Sequence, residues 1–386
     1  MQAMMPATCI LRQRCAERDL AWHHPTVHDF HPMPLLNPHP PSIPGRAKVI
    51  VVGGGVMGAS AAWHLAKAGA AVTLVESNPD SRSTATASSL GWVGASASSP
   101  SDNPAAFALR LKALEAFAAL EGQLGPLPIA TRGTLLWLSN EEETAAMIAE
   151  HQSSGTRMER LLRAQISDKE PMLAQAPPLA AWAPDDFALE PAAFARQLLA
   201  GAQDLGASML QGTVDAVEVT GSRVSGISVG GQRLTADTVV LANGLGAQAL
   251  ASTAGVHLPI YPSPAVLLRF GLETHGLRHL LCAEDLELRP SLGGGLVSAA
   301  DYPDNAESGF PALAARSAEA IAHLLGLTAA PALVSIAAAQ RPMTTDGTPL
   351  CAYVGEIDGL FALVAHPGVI LAPFLGQLCA TSVLDA

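Results

Sequence analysis

Residues 47–77 read AKVIVVGGGVMGASAAWHLAKAGAAVTLVES, and the whole chain can be read outward from this stretch. Lys48 to Val52 is β-branched and apolar beyond its lysine, without alternation, which predicts a strand buried on both faces as in a parallel sheet. Met57 to Ala68 predicts a helix ended by Gly69, and Ala71 to Glu76 a second buried strand, so the stretch is one βαβ unit. Gly53, Gly55 and Gly58 occupy GxGxxG between strand and helix. The first glycine permits the tight turn, the second lets a pyrophosphate approach the backbone, and the third lets helix and strand pack closely. The helix amides near Val56 and Met57 would face phosphates, where the helix dipole favours negative charge. Glu76 closes the second strand 23 residues after Gly53, where a carboxylate accepts hydrogen bonds from ribose hydroxyls and repels a 2′-phosphate. The pattern predicts an adenine dinucleotide and leaves NAD and FAD both open.

Bulk composition narrows the setting. The 386 residues are 49% hydrophobic and 15% charged, enough for a large core and typical of two domains. A net charge of −12 argues against nucleic-acid binding, which needs a basic footprint. No uncharged apolar run is long enough for a membrane span. The early charges in CILRQRCAERDLAW argue against a secretory signal. Cys9, Cys15, Cys282, Cys351 and Cys379 have no metal-ligand spacing and read as reduced thiols of a cytoplasmic protein, with no metal expected. Residues 1–46, dense in His and Pro, read as a disordered N-terminal extension, with Met33 a candidate for the true start.

Further along, a helix is expected from about Pro104 to Leu120, a strand at GTLLWLS, a helix at EEETAAMIAEHQ and another at EPAAFARQLLAGAQDLGA. RLTADTVVLANGLGA reads as one strand entering a glycine loop. LELRPSLGGGLVSAA reads as an antiparallel pair around a glycine turn. The tail, GLFALVAHPGVILAPFLGQLCATSVL, reads as strand, tight loop and a helix starting near Leu371. Parallel and antiparallel signals alternate, which predicts two domains woven together by several crossings rather than two beads on a string.

Four blocks resemble the FAD-dependent D-amino acid oxidase superfamily, closest in pattern to glycine oxidase and sarcosine oxidase-like members. They are the opening βαβ unit, ATASSLGW, GTVDAVEV with ADTVVLANGLGA, and RPMTTDGTPL with GLFALVAHPGVILAPFLGQL, in the family's order over residues 47–386. The resemblance implies an α/β fold (α+β overall), with a Rossmann-like FAD domain on a parallel sheet interwoven with an antiparallel-sheet substrate domain. The FAD domain would take residues 47–130, 185–262 and 336–386, and the substrate domain residues 131–184 and 263–335. It implies that Gly53, Gly55, Val56, Met57, Gly58, Glu76 and Ser77 hold the pyrophosphate and ribose of FAD. Thr86, Ser88, Leu90, Gly91 and Trp92 would run beside the phosphates and the isoalloxazine. Val214 would hold adenine through its backbone. His366, Gly368, Val369 and Ile370 would line the pyrimidine edge of the ring, His366 by its backbone and not as a general base. Arg341 would pair with the substrate carboxylate.

The implied activity is oxidation of the C–N bond of an amino acid or secondary amine by hydride transfer to flavin, with oxygen as acceptor. No cysteine aligns with a covalent link, so FAD is expected to be non-covalent. The alternatives are a dehydrogenase passing electrons to a quinone or carrier, a nicotinamide enzyme and a non-catalytic flavin-binding accessory protein. A homo-oligomer or an electron acceptor protein stays open as partner. Three positions depart from the pattern: Ala337 and Ala339 stand where Trp and Gly are frequent, and Glu287 where a substrate-site tyrosine is often seen. Glu287 reads first as a solvated strand residue; facing the pocket, it would favour a cationic or amine-rich substrate.

Overall fold

The computed structural model describes residues 47–79, 84–272, 276–283 and 286–385. The expectation for residues 1–46, including Cys9 and Cys15, lies outside them.

Lys48–Val52 sits inside a six-stranded sheet ordered Leu350–Tyr353, Leu360–Val364, Thr238–Leu241, Lys48–Val52, Ala71–Glu76 and Ser208–Gln211. All pairs are parallel except the first, where Leu350–Tyr353 runs antiparallel to its neighbour. Both faces of the central strand are covered, so Val49 through Val52 are all buried and no alternation was needed in the sequence. The helix after the glycine loop runs Val56–Lys67, with ten of its twelve residues buried. Such burial needs helices on several sides, and small residues let them come close. Helices Pro191–Asp204 and Gly368–Leu384 both pack on it. The Ser60 hydroxyl donates to the Ala372 carbonyl at 2.7 Å, and a Cβ on Gly376 would fall 2.2 Å from Ser60 Oγ.

The second sheet is largely antiparallel. Its strands are ordered Ala332–Thr344, Ile260–Gly271, Leu296–Asp301, Leu286–Pro290, Leu280–Ala283, Ile129–Leu136, Leu179–Leu189 and Trp92–Val93, with Glu159–Leu162 also pairing Leu179–Leu189. The expected antiparallel pair is present as Leu286–Pro290 against Leu296–Asp301. Strand periodicity sorts the residues cleanly. Leu268, Leu288, Ala300, Ile336 and Ala338 pack with Leu313 and Ile321 of helix Phe310–Leu325. Leu267, Val297 and Ala299, on the other face, pack with Leu90 and Trp92.

Two elements differ from the sequence reading. RLTADTVVLANGLGA is two strands: Gln232–Thr235 joins a three-stranded antiparallel sheet and Thr238–Leu241 the parallel one. The break is pinned at Asp237, whose amide donates to the Lys48 carbonyl at 2.9 Å and whose Oδ2 accepts from the Lys48 amide at 2.9 Å. The last helix begins at Gly368, three residues before Leu371, because Pro367 is the N-cap, where its missing donor costs nothing.

Candidate active site

The glycine loop is built for close approach. Gly53 has φ +102°, and a Cβ there would sit 2.7 Å from the Asn243 Cα. A Cβ on Gly58 would lie 1.9 Å from the Gly53 carbonyl oxygen, so strand and helix touch only because the position is bare. The helix opens at Val56 with Gly55 as N-cap, and Gly55 brings no capping side chain. Its Val56 amide donates to Thr86 Oγ1 at 3.0 Å, which draws the loop carrying Thr86 and Ser88 over the helix N-terminus. Glu76 turns back under the turn: Oε2 accepts from the Gly54 amide at 2.6 Å and Oε1 from the Asn78 amide at 2.8 Å, with Ser77 Oγ beside it at 3.3 Å. The Gly212 amide donates to the Glu76 carbonyl at 2.9 Å, which brings Val214, at the start of its strand, to the same end of the sheet.

The loop continues into Leu90, Gly91 and Trp92. Gly91 has φ +77°, and a Cβ would clash with the Leu189 carbonyl at 2.1 Å. The Trp92 indole donates to Asp186 Oδ2 at 2.8 Å, and the Ser96 hydroxyl donates to the same oxygen. Asp186 is buried, and burial pushes its carboxyl up to about 6 against these hydrogen bonds. Leu90 is held from strand Leu286–Pro290 of the antiparallel sheet: its carbonyl accepts from Arg289 Nε. Arg289 is fully buried and makes a forked pair with Glu190 at 2.9 and 3.3 Å. Ser291 Oγ also donates to Glu190, and Arg269 lies 3.6 Å from it. Glu190 is held down to about 2, its hydrogen bonds and charged partners outweighing partial burial.

The C-terminal segment meets this loop. A Cβ on Gly368 would stand 3.8 Å from Met57 Cγ, so the start of the last helix abuts the glycine-loop helix. Val369 and Ile370 are turned into the core, which leaves only their backbone for a ligand. No side chain caps this helix start. The segments 47–77 and 341–378 therefore fold against one another.

Arg341 projects from strand Ala332–Thr344, opposite Ser263. It donates to Ser263 Oγ at 2.7 Å and, at 3.4 Å each, to the Ser263 and Pro264 carbonyls. Partial burial lowers its pKa, while the charges of Asp301, Glu287 and Tyr261 pull the other way. By strand parity Arg341, Ala339, Ala337, Leu267, Ala299, Asp301 and Glu287 share the face that meets Leu90 and Trp92. Glu287 is only 4% exposed, which corrects the expectation of a solvated strand residue. Sheet register decided this, since five residues of alternating character around Glu287 do not say which face is covered.

A family model, FAD dependent oxidoreductase, matches residues 48–382. The chain belongs to this FAD-dependent oxidoreductase family. It is 29% identical over 352 residues to a glycine oxidase of Bacillus licheniformis, covering 88% of this chain and 93% of the relative. In fold it is similar to glycine oxidase from Bacillus cereus ATCC 14579 (TM-score 0.76, 22% identity, 88% of this chain and 95% of that one). It is similar likewise to iminodiacetate oxidase from Chelativorans sp. BNC1 (TM-score 0.77, 20% identity, 87% and 95%). FAD membership removes the nicotinamide alternative.

The residues present fit FAD. The bare positions at Gly53 and Gly58, the helix N-terminus without a capping side chain from Gly55, and the Glu76 carboxylate at the strand end are the features that an adenosine and pyrophosphate would require here. Sequence reasoning missed Asp186, Glu190 and Arg289. Arg289 lies inside the quoted LELRP, but nothing there announces a buried partner 99 residues away.

Proposed function

We propose that this FAD-dependent oxidoreductase oxidises the C–N bond of an amino acid or secondary amine, holds FAD non-covalently and uses oxygen as acceptor. The observation that carries the reading is the single sheet face that bears Arg341 and, two rows along, packs on Leu90 and Trp92, with helix Gly368–Leu384 against strand Trp92–Val93 at one side and against Met57 at its start. The activities named for the relatives, oxidation of glycine and of iminodiacetate, support a substrate that joins an amine to a carboxylate. FAD, when bound, supplies the hydride acceptor.

The chain's own groups bind and orient. Gly53, Gly55, Met57 and Gly58 would take the pyrophosphate on backbone amides, beside Val56, whose own amide is held by Thr86 Oγ1, and Glu76 and Ser77 would take the ribose. Val214 takes adenine. Thr86, Ser88, Leu90, Gly91 and Trp92 would hold the dinucleotide between its phosphates and its ring. The backbone of His366, Gly368, Val369 and Ile370 offers amides at a helix start to the negative pyrimidine edge. Arg341, steadied by Ser263, presents a planar fork to the substrate carboxylate. Among the described residues the free cysteines are Cys282, Cys351 and Cys379; burial pushes the Cys351 thiol up to about 12 and raises that of Cys379 well above its usual value, which disfavours the thiolates a covalent flavin link needs. No described helix is long and apolar enough to cross a membrane.

The test is an anaerobic bleaching screen of the yellow protein with D- and L-amino acids, N-methyl amino acids and imino acids. At least one bleaches the flavin, and air then yields peroxide; dye reduction without peroxide assigns a carrier instead. Arg341→Ala keeps FAD and weakens substrate about 30-fold or more, the cost of removing one partner of a partly buried charge pair. Unchanged substrate affinity in that variant removes Arg341 from the site, and a flavin that no amine or amino acid bleaches makes this an accessory protein.

A further inference from the structure

Trp92 stands where the loop from Thr86 reaches the sheet face that bears Arg341, and a buried carboxylate holds its ring. Strand Trp92–Val93 is two residues long and pairs with Leu179–Leu189. Val93 is buried, whereas Trp92 is half-buried. Trp92 packs on the group of Leu90, Leu267 and Val297 and also on the group that holds Leu136 and Met147. So short a strand leaves the large ring to be placed by its side-chain contacts. The indole has a single donor and no acceptor, so one hydrogen bond fixes the swing of the ring. That bond goes to Asp186 Oδ2 at 2.8 Å.

The chain makes room for this carboxylate. Gly94 has to stay bare, because a Cβ there would lie 2.1 Å from Asp186 Cγ. The Ser96 hydroxyl donates to the same Oδ2. Other groups tie the loop down independently. Arg110 Nη1 donates to the Gly94 carbonyl at 3.3 Å. Glu150, on helix Glu141–Ser153, accepts from Ser99 Oγ at 2.7 Å and from the Ser101 amide at 2.8 Å. The loop backbone is therefore held from several sides, and what Asp186 adds is the orientation of the indole. Burying a carboxylate is expensive, and a neutral amide would offer an acceptor for less. What the charge adds is a stronger hydrogen bond.

We infer that Asp186 is a positioning residue for the reaction: its carboxylate fixes the Trp92 indole as a rigid wall of the site in which the flavin ring and the substrate meet. The inference rests on the reading that Leu90, Gly91 and Trp92 lie beside the isoalloxazine. Asp186, only 3% exposed, acts through Trp92.

The experiment uses the FAD-loaded protein at pH 8, where the Asp186 carboxyl is ionised. Visible circular dichroism of the oxidised flavin reads the surroundings of the ring. Anaerobic reduction by the fastest amino acid or amine of the bleaching screen, at saturation, reads the chemical step. Trp92→Phe keeps an aromatic ring and deletes the donor. It and Asp186→Ala each slow reduction about tenfold, the worth of one charge-assisted hydrogen bond, and change the flavin dichroism in the same way. Asp186→Asn, with an acceptor in the same place, recovers the rate to within about threefold. Asp186→Ala made in the Trp92→Phe protein adds less than about twofold, because the bond it removes is already gone. Ser96→Ala, which leaves Trp92 bonded, stays within about twofold of wild type. Where Asp186→Ala does not fold, Asp186→Asn with and without Trp92→Phe makes the same comparison. An Asp186 effect of equal size with and without Trp92→Phe overturns the inference, as does a Ser96→Ala loss as large as that of Asp186→Ala. So does a flavin dichroism that Trp92→Phe leaves unchanged. Each of these outcomes makes the carboxylate a support of the loop and leaves the oxidoreductase reading standing. A flavin that no amino acid or amine bleaches sinks the underlying reading instead, and the dichroism of the variants then still decides whether Asp186 acts through Trp92.

Discussion

Arg289→Met tests whether strand Leu286–Pro290 locks the loop at Leu90 and the helix start at Glu190 onto the antiparallel sheet. The guanidinium is fully buried and divides its donors among Glu190, the Leu90 carbonyl and the Pro290 carbonyl. Methionine keeps the length and removes every donor. Glu190 retains Ser291 and, at 3.6 Å, Arg269, and its side chain is 15% exposed, so the loss falls short of stranding a bare charge. Depression of its pKa from 4.5 to about 2 corresponds to about 2–3 kcal/mol after solvent screening. The two orphaned carbonyls bring the total to about 3–5 kcal/mol. With an unfolding entropy of about 2.1 cal/mol/K per residue over the roughly 330 described residues, the melting temperature falls by about 4–7 °C. The wild-type contribution is present above pH 4.5 and is lost as pH falls toward about 2, because the unfolded chain takes up the Glu190 proton first. The variant should lack that acid-limb slope. Scanning calorimetry across pH reads both effects, and flavin fluorescence reads the looser grip on FAD as Leu90 loses its anchor. Glu190→Gln combined with Arg289→Met should cost less than the sum of the single changes, because no unpaired charge remains. A melting temperature within 1 °C of wild type at neutral pH, or strict additivity, refutes the lock.

Two further expectations concern the same region. Asp186 titrates near 6 in the fold and at 3.8 when free, so its stabilising share is intact below pH 3.8 and disappears as pH rises through about 6. Asp186→Asn, which keeps an acceptor for Trp92, should abolish an alkaline-side decline of about 2–3 kcal/mol in urea titrations at pH 4 and pH 8; an unchanged decline assigns it to another group. Gly58→Ala forces a methyl to 1.9 Å from the Gly53 carbonyl and should yield protein that purifies without flavin colour, with about 1–3 kcal/mol lost to overpacking. Gly122→Ala, whose Cβ meets nothing within 4 Å, is the matched control, and a yellow Gly58→Ala protein would refute the cradle.

Local patterns carried the first half of this molecule. Val49–Val52, the spacing of Gly53, Gly55 and Gly58, and the acid at Glu76 announce a parallel strand, a tight turn and a ribose-end carboxylate, since each depends on neighbours within about 30 residues. The antiparallel pair around the glycine turn at 291–295 was equally legible. What only the tertiary structure decided was which face a strand residue turns inward and what waits there. Glu287 changes from a solvated acid to a buried one through a register set by four strands, and Asp186, Glu190 and Arg289 acquire meaning only from partners 90 or more residues away. Alternation says that two faces exist; packing chooses between them, because the cost of burying a charge is decided by groups that the local sequence does not contain.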